Sequence, residues 1–334
     1  MNRVRIVALA GDVPATLLDD RELSLSLGLD AARVASISRG MKRASAADGQ
    51  GPADLAADVA QKALESAGVS ANDVDLLVFA TTTPDITFPG SACLLQAKLG
   101  IHGQPCIDVR SQCTGFLTAL DVAARFLATG ACRRVLVAAA DVPTHVNRYD
   151  GVAPELAILT GDGAAVAIVE AGAGRGELLA VAARIDGRRH RELWCEFPAS
   201  RHRVRCDTAR GERVTREAFE SGALYPRADF PALRATALEE VPKILDSALR
   251  ASGLARVDAL VLAHLDPSIE DALVERLARH CGRVVRRRTA YGFGSTLPLA
   301  LVTASAAGDF VDGETVALAT AGSGASWGAA VLRW

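Results

Sequence analysis

The sequence has no long apolar segment and almost no net charge. Its hydrophobic runs fall short of the roughly 20 residues that a membrane-spanning helix needs, and the apolar run within residues 1–14 is too short for a signal peptide. The formal net charge of −2 gives no reason to expect nucleic acid or an anionic membrane as a partner. These features predict a cytoplasmic protein that binds neither.

Metal-binding patterns and aromatic residues are also scarce. The seven cysteines and six histidines form no Cys-x-x-Cys pair and no cluster with zinc-like spacing, so we expect no metal and no metal cofactor. In an intracellular protein the cysteines are expected to be thiols rather than disulfides. Aromatic residues make up only 4% of the chain, so a substrate pocket is expected to be lined by aliphatic side chains.

Apolar strand-like runs alternate with helix-like segments along the chain. With 334 residues, 50% of them hydrophobic, the chain can bury a substantial core and form two domains. The alternation predicts an α/β fold with mostly parallel central sheets, in which reactive groups gather at strand carboxyl ends and helix N-termini. The strand-like runs are 4–10, 75–81, 106–109, 134–140, 164–170, 178–184, 258–264, 283–287, 315–320 and 329–334, and the helix-like runs are about 53–67, 89–99, 114–129, 231–252, 268–281 and 297–308.

Cys113 lies at such a junction. It follows the strand-like run 106–109 and precedes the helix-like run 114–129. A thiol there faces unpaired backbone N–H groups and the positive end of the helix dipole, which both favour the thiolate. The position predicts a nucleophile, although buried structural cysteines are common in apolar chains.

The chain contains an internal repeat. Each repeated segment pairs an apolar strand-like run of the first half with a counterpart in the second. The offset that aligns Val135 with Val316 aligns Cys113 with Gly294, at the start of a second Gly/Ser-bounded helix. The matched segments are 63–84 with 248–267, 135–141 with 316–322, and 163–170 with 328–334.

The repeat predicts two domains of related fold. Residues 1–172 carry Cys113, and residues 173–334 carry His264 at the end of a strand. An Arg-rich stretch, 184–216, begins the second half and interrupts the repeat. It is expected either to shape the entrance for an acceptor substrate or to be a polar surface loop.

Five motifs in order resemble the condensing enzymes of the thiolase fold, and within them the β-ketoacyl-acyl carrier protein synthase III (KAS III) family. The resemblance covers nearly the whole chain. It implies an α/β fold in the form of a five-layered αβαβα sandwich of two duplicated halves, assembled as a homodimer. The motifs are 80–100 (ATTTPDITFPGSACLLQAKLG), 107–116 (IDVRSQCTGF), 161–170 (GDGAAVAIVE), 261–267 (VLAHLDP) and 320–334 (TAGSGASWGAAVLRW).

The resemblance implies an acyltransferase that works through an acyl-cysteine. Cys113 would take an acyl group from an acyl carrier protein or coenzyme A thioester, with no other cofactor. The backbone N–H groups of Cys113 and Ser323 match the oxyanion hole of the family. His264 matches the residue that acts as hydrogen-bond donor or general base toward a small-molecule acceptor. Asp266 either orients this imidazole or is a loop carboxylate.

Two more residues are expected near the acyl chain. Phe88 matches the position that lies near the acyl pocket of the neighbouring subunit. Gln112 is larger and more polar than the residue expected before the nucleophile. It either donates to the acyl carbonyl, narrows the pocket, or points away into a hydrogen-bonded turn.

A departure from the family concerns the reaction. Decarboxylating members carry an Asn in a Gly-Asn-Thr-Ser-Ala-like motif, which helps to stabilise the enolate formed when malonyl thioester loses carbon dioxide. Gapless alignment on Pro298 places Tyr291 at the Asn position, whereas alignment on the Gly-Asn-Thr pattern places Ser295 there. Neither side chain offers an amide donor. The departure predicts an acceptor that needs no enolate made by decarboxylation.

A second departure concerns the donor. Members specific for coenzyme A present a Trp and an Arg to the nucleotide, at about the positions of Val34 and Ser38 here. The donor is therefore expected on an acyl carrier protein, with coenzyme A as the other possibility. A basic surface would dock the acidic carrier protein, or else is an ordinary solvated face. It includes Arg276, Arg279 and Arg283.

Three functions follow from these residues. The preferred one is a KAS III-like acyltransferase of specialised metabolism that transfers to oxygen, nitrogen or activated carbon without malonyl decarboxylation. The first alternative is a decarboxylating 3-oxoacyl synthase in which another residue or water replaces the Asn. The second is a catalytically silent partner subunit that binds acyl chains.

Overall fold

In the described residues, ten strands form one mixed sheet whose two five-stranded halves, called here the first and second sheets, are joined by the ladder pair of Arg5 with Glu177. The structure is a computed structural model that describes residues 3–196, 221–287 and 292–334. Its strands are β1 (Val4–Asp12), β2 (Leu17–Leu18), β3 (Arg43–Ala44), β4 (Leu76–Ala80), β5 (Cys106–Val109), β6 (Arg134–Asp141), β7 (Gly163–Ala171), β8 (Glu177–Ile185), β9 (Leu193–Trp194), β10 (Arg227–Ala228), β11 (Val257–Ala263), β12 (Cys281–Val285), β13 (Thr315–Gly322) and β14 (Ser326–Arg333). Its helices are α1 (Asp20–Leu27), α2 (Ala31–Ser38), α3 (Pro52–Ala67), α4 (Ser91–Lys98), α5 (Gly115–Ala128), α6 (Glu155–Leu159), α7 (Phe230–Ser252), α8 (Pro267–Leu277) and α9 (Thr296–Ala306).

The two sheets have the same strand order, directions and register. The orders are β5-β4-β6-β7-β1 and β12-β11-β13-β14-β8. In each sheet the three outer strands are parallel and the other two pairings are antiparallel. Ala80 of β4 pairs with Ala139 of β6, and Ala263 of β11 pairs with Thr320 of β13. The residues that follow these pairs are therefore equivalent in the two halves, as the sequence repeat predicts.

Helices form three layers around the sheets. Helices α3 and α4 pack on the outer face of the first sheet, and α7 and α8 pack on the outer face of the second. Helices α5 and α9 lie between the sheets and contact strands of both. Leu117, Leu120 and Leu127 of α5 are fully buried, so this helix is apolar on the faces that meet the strands. The arrangement confirms the five-layered thiolase-like sandwich.

Most of the predicted elements are present, with small differences at their ends. All ten strand-like runs and all six helix-like segments correspond to an observed element. The largest difference is after α8, which ends at Leu277, so that β12 begins at Cys281 rather than at residue 283. The sequence patterns miss α1, α2 and α6, because these helices span eight, eight and five residues and are too short for a clear apolar period.

Two other expectations meet the structure only in part. The division between residues 172 and 173 falls in the turn between β7 and β8. In the Arg-rich stretch, residues 184–196 form the end of β8, a 3₁₀ segment Gly187–Glu192 and β9, while residues 197–216 lie outside the described residues. No helix in the described ranges is long and apolar enough to cross a membrane.

Candidate active site

Cys113 lies in a tight turn at the N-terminus of α5. The 3₁₀ turn Gln112–Thr114 joins β5 to the helix, and Cys113 is fully buried. Gln112 adopts a φ of 51°, in the left-handed region that is unfavourable for residues with a side chain. The next glycine allows close packing, because a Cβ at Gly115 would lie 3.0 Å from the Ala80 side chain. The thiol is thus held at the positive end of the helix dipole, as the sequence predicts.

An equivalent turn precedes α9 in the second half. The 3₁₀ turn Phe293–Ser295 repeats the left-handed residue, with φ 47° at Phe293. Gly294 therefore occupies the position equivalent to Cys113, which confirms the sequence alignment. A Cβ on Gly294 would lie 3.0 Å from the carbonyl oxygen of Gln112, so the two turns are in direct backbone contact.

His264 follows β11 and is buried. Its Nδ1 accepts a hydrogen bond from the backbone N–H of Asp266 at 3.2 Å, which places the ring proton on Nε2. The Nε2 atom is buried without a partner among the residues that the structure describes. Burial lowers the pKa of His264 to about 4, so the imidazole is neutral at pH 7. His264 is therefore built to donate a hydrogen bond from Nε2.

The orienting role expected of Asp266 stays a prediction for its carboxylate. Asp266 is the N-cap of α8, and its Oδ1 accepts the backbone N–H of Ser268 at 2.7 Å. The backbone N–H of Asp266 donates to the imidazole, and the charge of its carboxylate opposes the lowering of the His264 pKa. An Asp before the proline that begins a helix is a common capping pattern, and this signal is visible in the sequence.

Strand ends bring the candidate residues to one place. His264 and Ala321 follow the paired Ala263 and Thr320 of β11 and β13. Ser323 lies in the bend from β13 to β14, and the Gln112–Thr114 turn packs against both strands. The Ser323 hydroxyl donates to the Leu193 carbonyl at 2.6 Å. The oxyanion hole of Cys113 and Ser323 stays a prediction.

A small, partly open cavity of about 20 Å³ lies beside His264. Its lining combines apolar and charged side chains from both halves of the chain. Thr296 and Ala300 line it from helix α9, which follows the turn equivalent to that of Cys113. The other lining residues are Met41, Leu262, Ala263, Leu265, Pro267, Glu270 and Arg287.

Of the two residues aligned with the family Asn, Ser295 and Tyr291, the structure describes only Ser295. Ser295 is fully buried, and its hydroxyl donates to the Gly292 carbonyl at 2.7 Å within the turn. That proton is therefore not directed at a substrate. Tyr291 lies outside the described residues.

The expected pocket residues have contrasting surroundings. Phe88, in the loop between β4 and α4, is 82% exposed in the single chain, and Ile86 nearby is 40% exposed. Phe88 therefore does not line a pocket of its own chain, and its place in a neighbour's pocket stays a prediction. Gln112 is half-buried in the left-handed position of the Cys113 turn.

The arginines of the expected docking surface have partners within the chain. Arg276 donates to the Leu238 carbonyl at 3.2 Å, and Arg279 lies 3.6 Å from Asp246. These two arginines face α7. Arg283 forms an ion pair at 2.6 Å with Glu314, in the turn before β13. The docking role stays a prediction, with less uncompensated charge than the sequence suggests.

The two residues at the positions expected to contact a nucleotide are buried. Val34 and Ser38, both on α2, are fully buried. The Ser38 hydroxyl donates to Asp20 at 2.8 Å, and the same carboxylate pairs with the fully buried Arg43 at 2.7 Å. The positions are therefore part of the protein interior. In the described ranges, no group of three or more His, Cys, Asp or Glu side chains is placed to hold a metal.

Asp141, at the end of β6, is a site residue that no sequence pattern predicts. Its fully buried carboxylate accepts the N–H of Thr82 at 2.6 Å, the hydroxyl of Thr81 at 3.3 Å and the N–H of Ser295 at 3.1 Å. It also accepts the N–H of Gly294. Burial raises the pKa of Asp141 to about 7, and the four donors oppose this shift. The signal available in the sequence was the repeat, which aligns Asp141 with Gly322.

Comparisons with known proteins agree with the geometry. Family models for 3-oxoacyl-[acyl-carrier-protein] synthase III match residues 107–187, and for its C-terminal region residues 249–334. The chain is 33% identical to the β-ketoacyl-[acyl-carrier-protein] synthase III of Thiobacillus denitrificans, over all of both chains. It is 34% identical to that of Synechococcus elongatus, over 99% of this chain and 97% of the relative. The crystal structure of 3-oxoacyl-(acyl carrier protein) synthase III from Pseudomonas aeruginosa PAO1 superposes with a TM-score of 0.85 at 27% identity, covering 99% of this chain and 98% of that one.

Proposed function

The chain belongs to the 3-oxoacyl-[acyl-carrier-protein] synthase III family of transferases, and we propose that it transfers acyl groups without malonyl decarboxylation. Cys113 carries the acyl group, and the acceptor is an oxygen, nitrogen or already activated carbon nucleophile of specialised metabolism. The observation that carries the transfer is the neutral His264, whose Nε2–H is a buried donor with no acceptor among the described residues.

In the loading step, the Cys113 thiolate attacks the carbonyl carbon of a thioester. A bond forms between this carbon and Sγ, the bond to the carrier sulfur breaks, and the carrier leaves as a thiol after it takes up a proton. The N-terminus of α5 stabilises the thiolate. The N–H groups of Cys113 and Ser323 would stabilise the tetrahedral oxyanion.

In the transfer step, the acceptor attacks the acyl carbon and the bond to Sγ of Cys113 breaks. The proton lost by the acceptor returns the sulfur to a thiol. His264 donates its Nε2–H to the acyl carbonyl oxygen as negative charge develops there. In this tautomer Nε2 cannot also accept a proton, which favours an acceptor that is nucleophilic without a protein base.

The absence of the Asn amide supports a reaction without decarboxylation. Enolate formation from malonyl thioester needs donors for the enolate oxygen, and His264 supplies one. The Ser295 hydroxyl is engaged with Gly292 and does not supply a second. An acceptor that arrives as a nucleophile makes no such demand.

The interior position of Val34 and Ser38 supports an acyl carrier protein as the donor. A carrier protein brings its acyl group on a pantetheine arm and needs no stacking surface for adenine. The exposed Phe88 supports a homodimer in which this side chain meets the acyl pocket of the other subunit, since an 82% exposed Phe is unfavourable in a monomer.

The first experiment measures the intact mass of the protein and of Cys113→Ala after exposure to acyl-carrier-protein and acyl-coenzyme A thioesters. We expect a mass gain equal to the acyl group in the wild type and none in the variant. The donor that loads the protein identifies the carrier. No adduct with any donor would contradict the enzymatic proposal and favour a silent acyl-binding subunit.

Decarboxylating condensation is the second candidate, and the names of the full-length relatives favour it. It predicts release of carbon dioxide from malonyl-acyl carrier protein, coupled to a 3-oxoacyl product, by the acylated enzyme. Our proposal predicts no such release. As a matched test, Tyr291→Asn and Ser295→Asn should leave decarboxylation little altered if the native site already performs it, whereas a large gain would show that the native site lacks this donor.

A further inference from the structure

Asp141 joins three segments that are distant in sequence. One carboxylate oxygen accepts from Thr81 and Thr82, directly after β4. The other accepts from Ser295 in the turn before α9, and the N–H of Gly294 also donates to the carboxylate. The carboxylate thus fixes the N-terminus of a helix of the second half to two strand ends of the first half. Its complete burial means that water cannot replace these bonds at low cost.

The position of Gly294 is transmitted to the nucleophile turn. Because a Cβ on Gly294 would lie 3.0 Å from the Gln112 carbonyl oxygen, the two turns pack too closely to admit a side chain at Gly294 without displacing one of them. Gln112 precedes Cys113 and holds a left-handed φ, which persists only where surrounding structure enforces it. The turn of Phe293–Ser295 is one such support.

The Cys113 turn has no equivalent carboxylate of its own. The residue that corresponds to Asp141 in the second half is Gly322, which has no side chain. A carboxylate there would face the thiolate and the N–H groups that a substrate oxyanion needs. The support for Cys113 therefore has to come from the opposite turn.

We propose that Asp141 is a positioning residue for Cys113, acting through the backbone of Gly294 and the carbonyl of Gln112. The inference does not depend on the donor or acceptor of the proposed function, because it concerns the geometry and reactivity of the thiol itself. Loss of the carboxylate releases the Phe293–Ser295 turn, lets the Cys113 turn relax, and lowers the reactivity of the thiol while the fold persists.

The test compares Asp141→Asn with Asp162→Asn. The Asn side chain keeps the size of Asp141 but replaces one acceptor by an NH₂ group that faces N–H donors. Asp162 is a matched control: it is also buried, and it accepts the N–H groups of Ala46 and Thr144 at 2.7 and 3.0 Å. The measured quantity is the rate of alkylation by iodoacetamide at Cys113, divided by the rate at the exposed Cys195 of the same molecule.

We expect Asp141→Asn to lower this ratio about tenfold or more, since a displacement near 1 Å can cost about a hundredfold in rate. Asp162→Asn should lose thermal stability but keep the ratio near the wild-type value. Gly294→Ala, which presses a methyl group on the Gln112 carbonyl and leaves Asp141 intact, should lower the ratio as well. This third variant decides the matter if Asp141→Asn does not fold.

Three results would overturn the proposal. One is an unchanged ratio in Asp141→Asn or in Gly294→Ala. Another is an equal loss in Asp162→Asn, which would mean that any buried carboxylate has this effect. The last is a wild-type Cys113 that reacts no faster than the buried Cys132, because there would then be no reactivity for Asp141 to sustain.

Discussion

Each half of the chain has a cluster of hydrogen bonds directly after an equivalent strand: around Thr81 after β4, and around His264 after β11. The two clusters differ in whether the side-chain donor has an acceptor among the described residues. In the second half the N–H of Asp266 donates to His264 at 3.2 Å. In the first half the N–H of Thr83 donates in the same way to the hydroxyl of Thr81, at 3.1 Å. The Thr81 hydroxyl in turn donates a hydrogen bond to the carboxylate of Asp141. His264 has no such acceptor among the described residues, and Gly322 stands where the carboxylate would be.

The difference shows what the site requires. A donor that stabilises negative charge in a transition state must have no protein acceptor before the reaction. A buried donor without an acceptor lowers the stability of the folded protein. The cluster in the first half is not used in this way, and a carboxylate fills it completely. The same backbone frame therefore supports two outcomes: a fully hydrogen-bonded carboxyl group in one copy, and a buried donor without an acceptor among the described residues in the other.

The largest predicted effect comes from removing the side-chain donor of each cluster. His264→Ala removes the Nε2–H and should lower kcat for acyl transfer by about 10²–10³-fold, the usual cost of losing one preorganised donor. The matched change in the other copy, Thr81→Ala, should lower kcat far less. Steady-state kinetics on the donor found by mass measurement would check both. Equal losses would mean that the two clusters do not divide structure from chemistry.

The pH dependence of stability should separate the clusters by sign. Burial raises the pKa of Asp141 from 3.8 to about 7, so in this range the folded protein holds a proton that the unfolded chain releases. Its contribution to the free energy of unfolding falls as pH rises, by up to about 1.4 kcal/mol per pH unit. Burial lowers the pKa of His264 from 6.5 to about 4, so here the unfolded chain binds the extra proton and the contribution rises with pH. Between these pKa values the two contributions oppose each other.

Removing one group at a time should expose the other. In urea unfolding at several pH values between about 4.5 and 6.5, Asp141→Asn should make the free energy of unfolding rise more steeply with pH than in the wild type. His264→Gln should shift the slope in the opposite direction. If both variants kept the wild-type slope, neither group would titrate differently in the folded and unfolded states.

A smaller effect is expected at Asp266. Its backbone N–H orients His264, and its carboxylate caps α8. Asp266→Asn keeps a cap acceptor and should leave both stability and kcat close to wild type. Asp266→Ala should cost about 1 kcal/mol of stability with kcat again little changed. Thermal and urea unfolding, run beside the kinetics, distinguish these outcomes, and a large loss of kcat in Asp266→Asn would restore a role for the carboxylate.

The smallest effect concerns the surface, where the halves also differ. The segment with Arg276, Arg279 and Arg283 in the second half corresponds to a segment of the first half with Lys98. Arg279→Glu, at a residue whose side chain is 73% exposed, should raise KM for an acyl carrier protein a few-fold and leave kcat unchanged. Lys98→Gln serves as the control and should change neither value. An unchanged KM for the carrier protein in both variants would contradict the proposal that this arginine surface docks it.

The long elements could be predicted because their signals are local, and the repeat could be predicted because its segments match directly in sequence. Apolar runs bounded by turn residues define the ten strands, and the offset of the repeat places Gly294 opposite Cys113. The short helices α1 and α2 were missed, since they depend on the caps Asp19 and Asp30 rather than on an apolar period. Nothing local reveals the role of Asp141, because one of its donors, Ser295, is 154 positions away. The sequence places Asp266 near His264 but does not show that its carboxylate caps α8, because nearness in sequence does not determine which way a side chain turns.

The left-handed residue that begins each turn suggests how the two halves of the chain are related by duplication. Gln112 and Phe293 hold this conformation in both halves, although only one turn carries a thiol. A half-length ancestor that paired with its own copy would have placed two identical turns back to back. Duplication and fusion of such an ancestor would free one turn to keep the chemistry and the other to support it. For protein engineering, the Gly294 turn is a ready-made scaffold on which a second reactive residue could be installed.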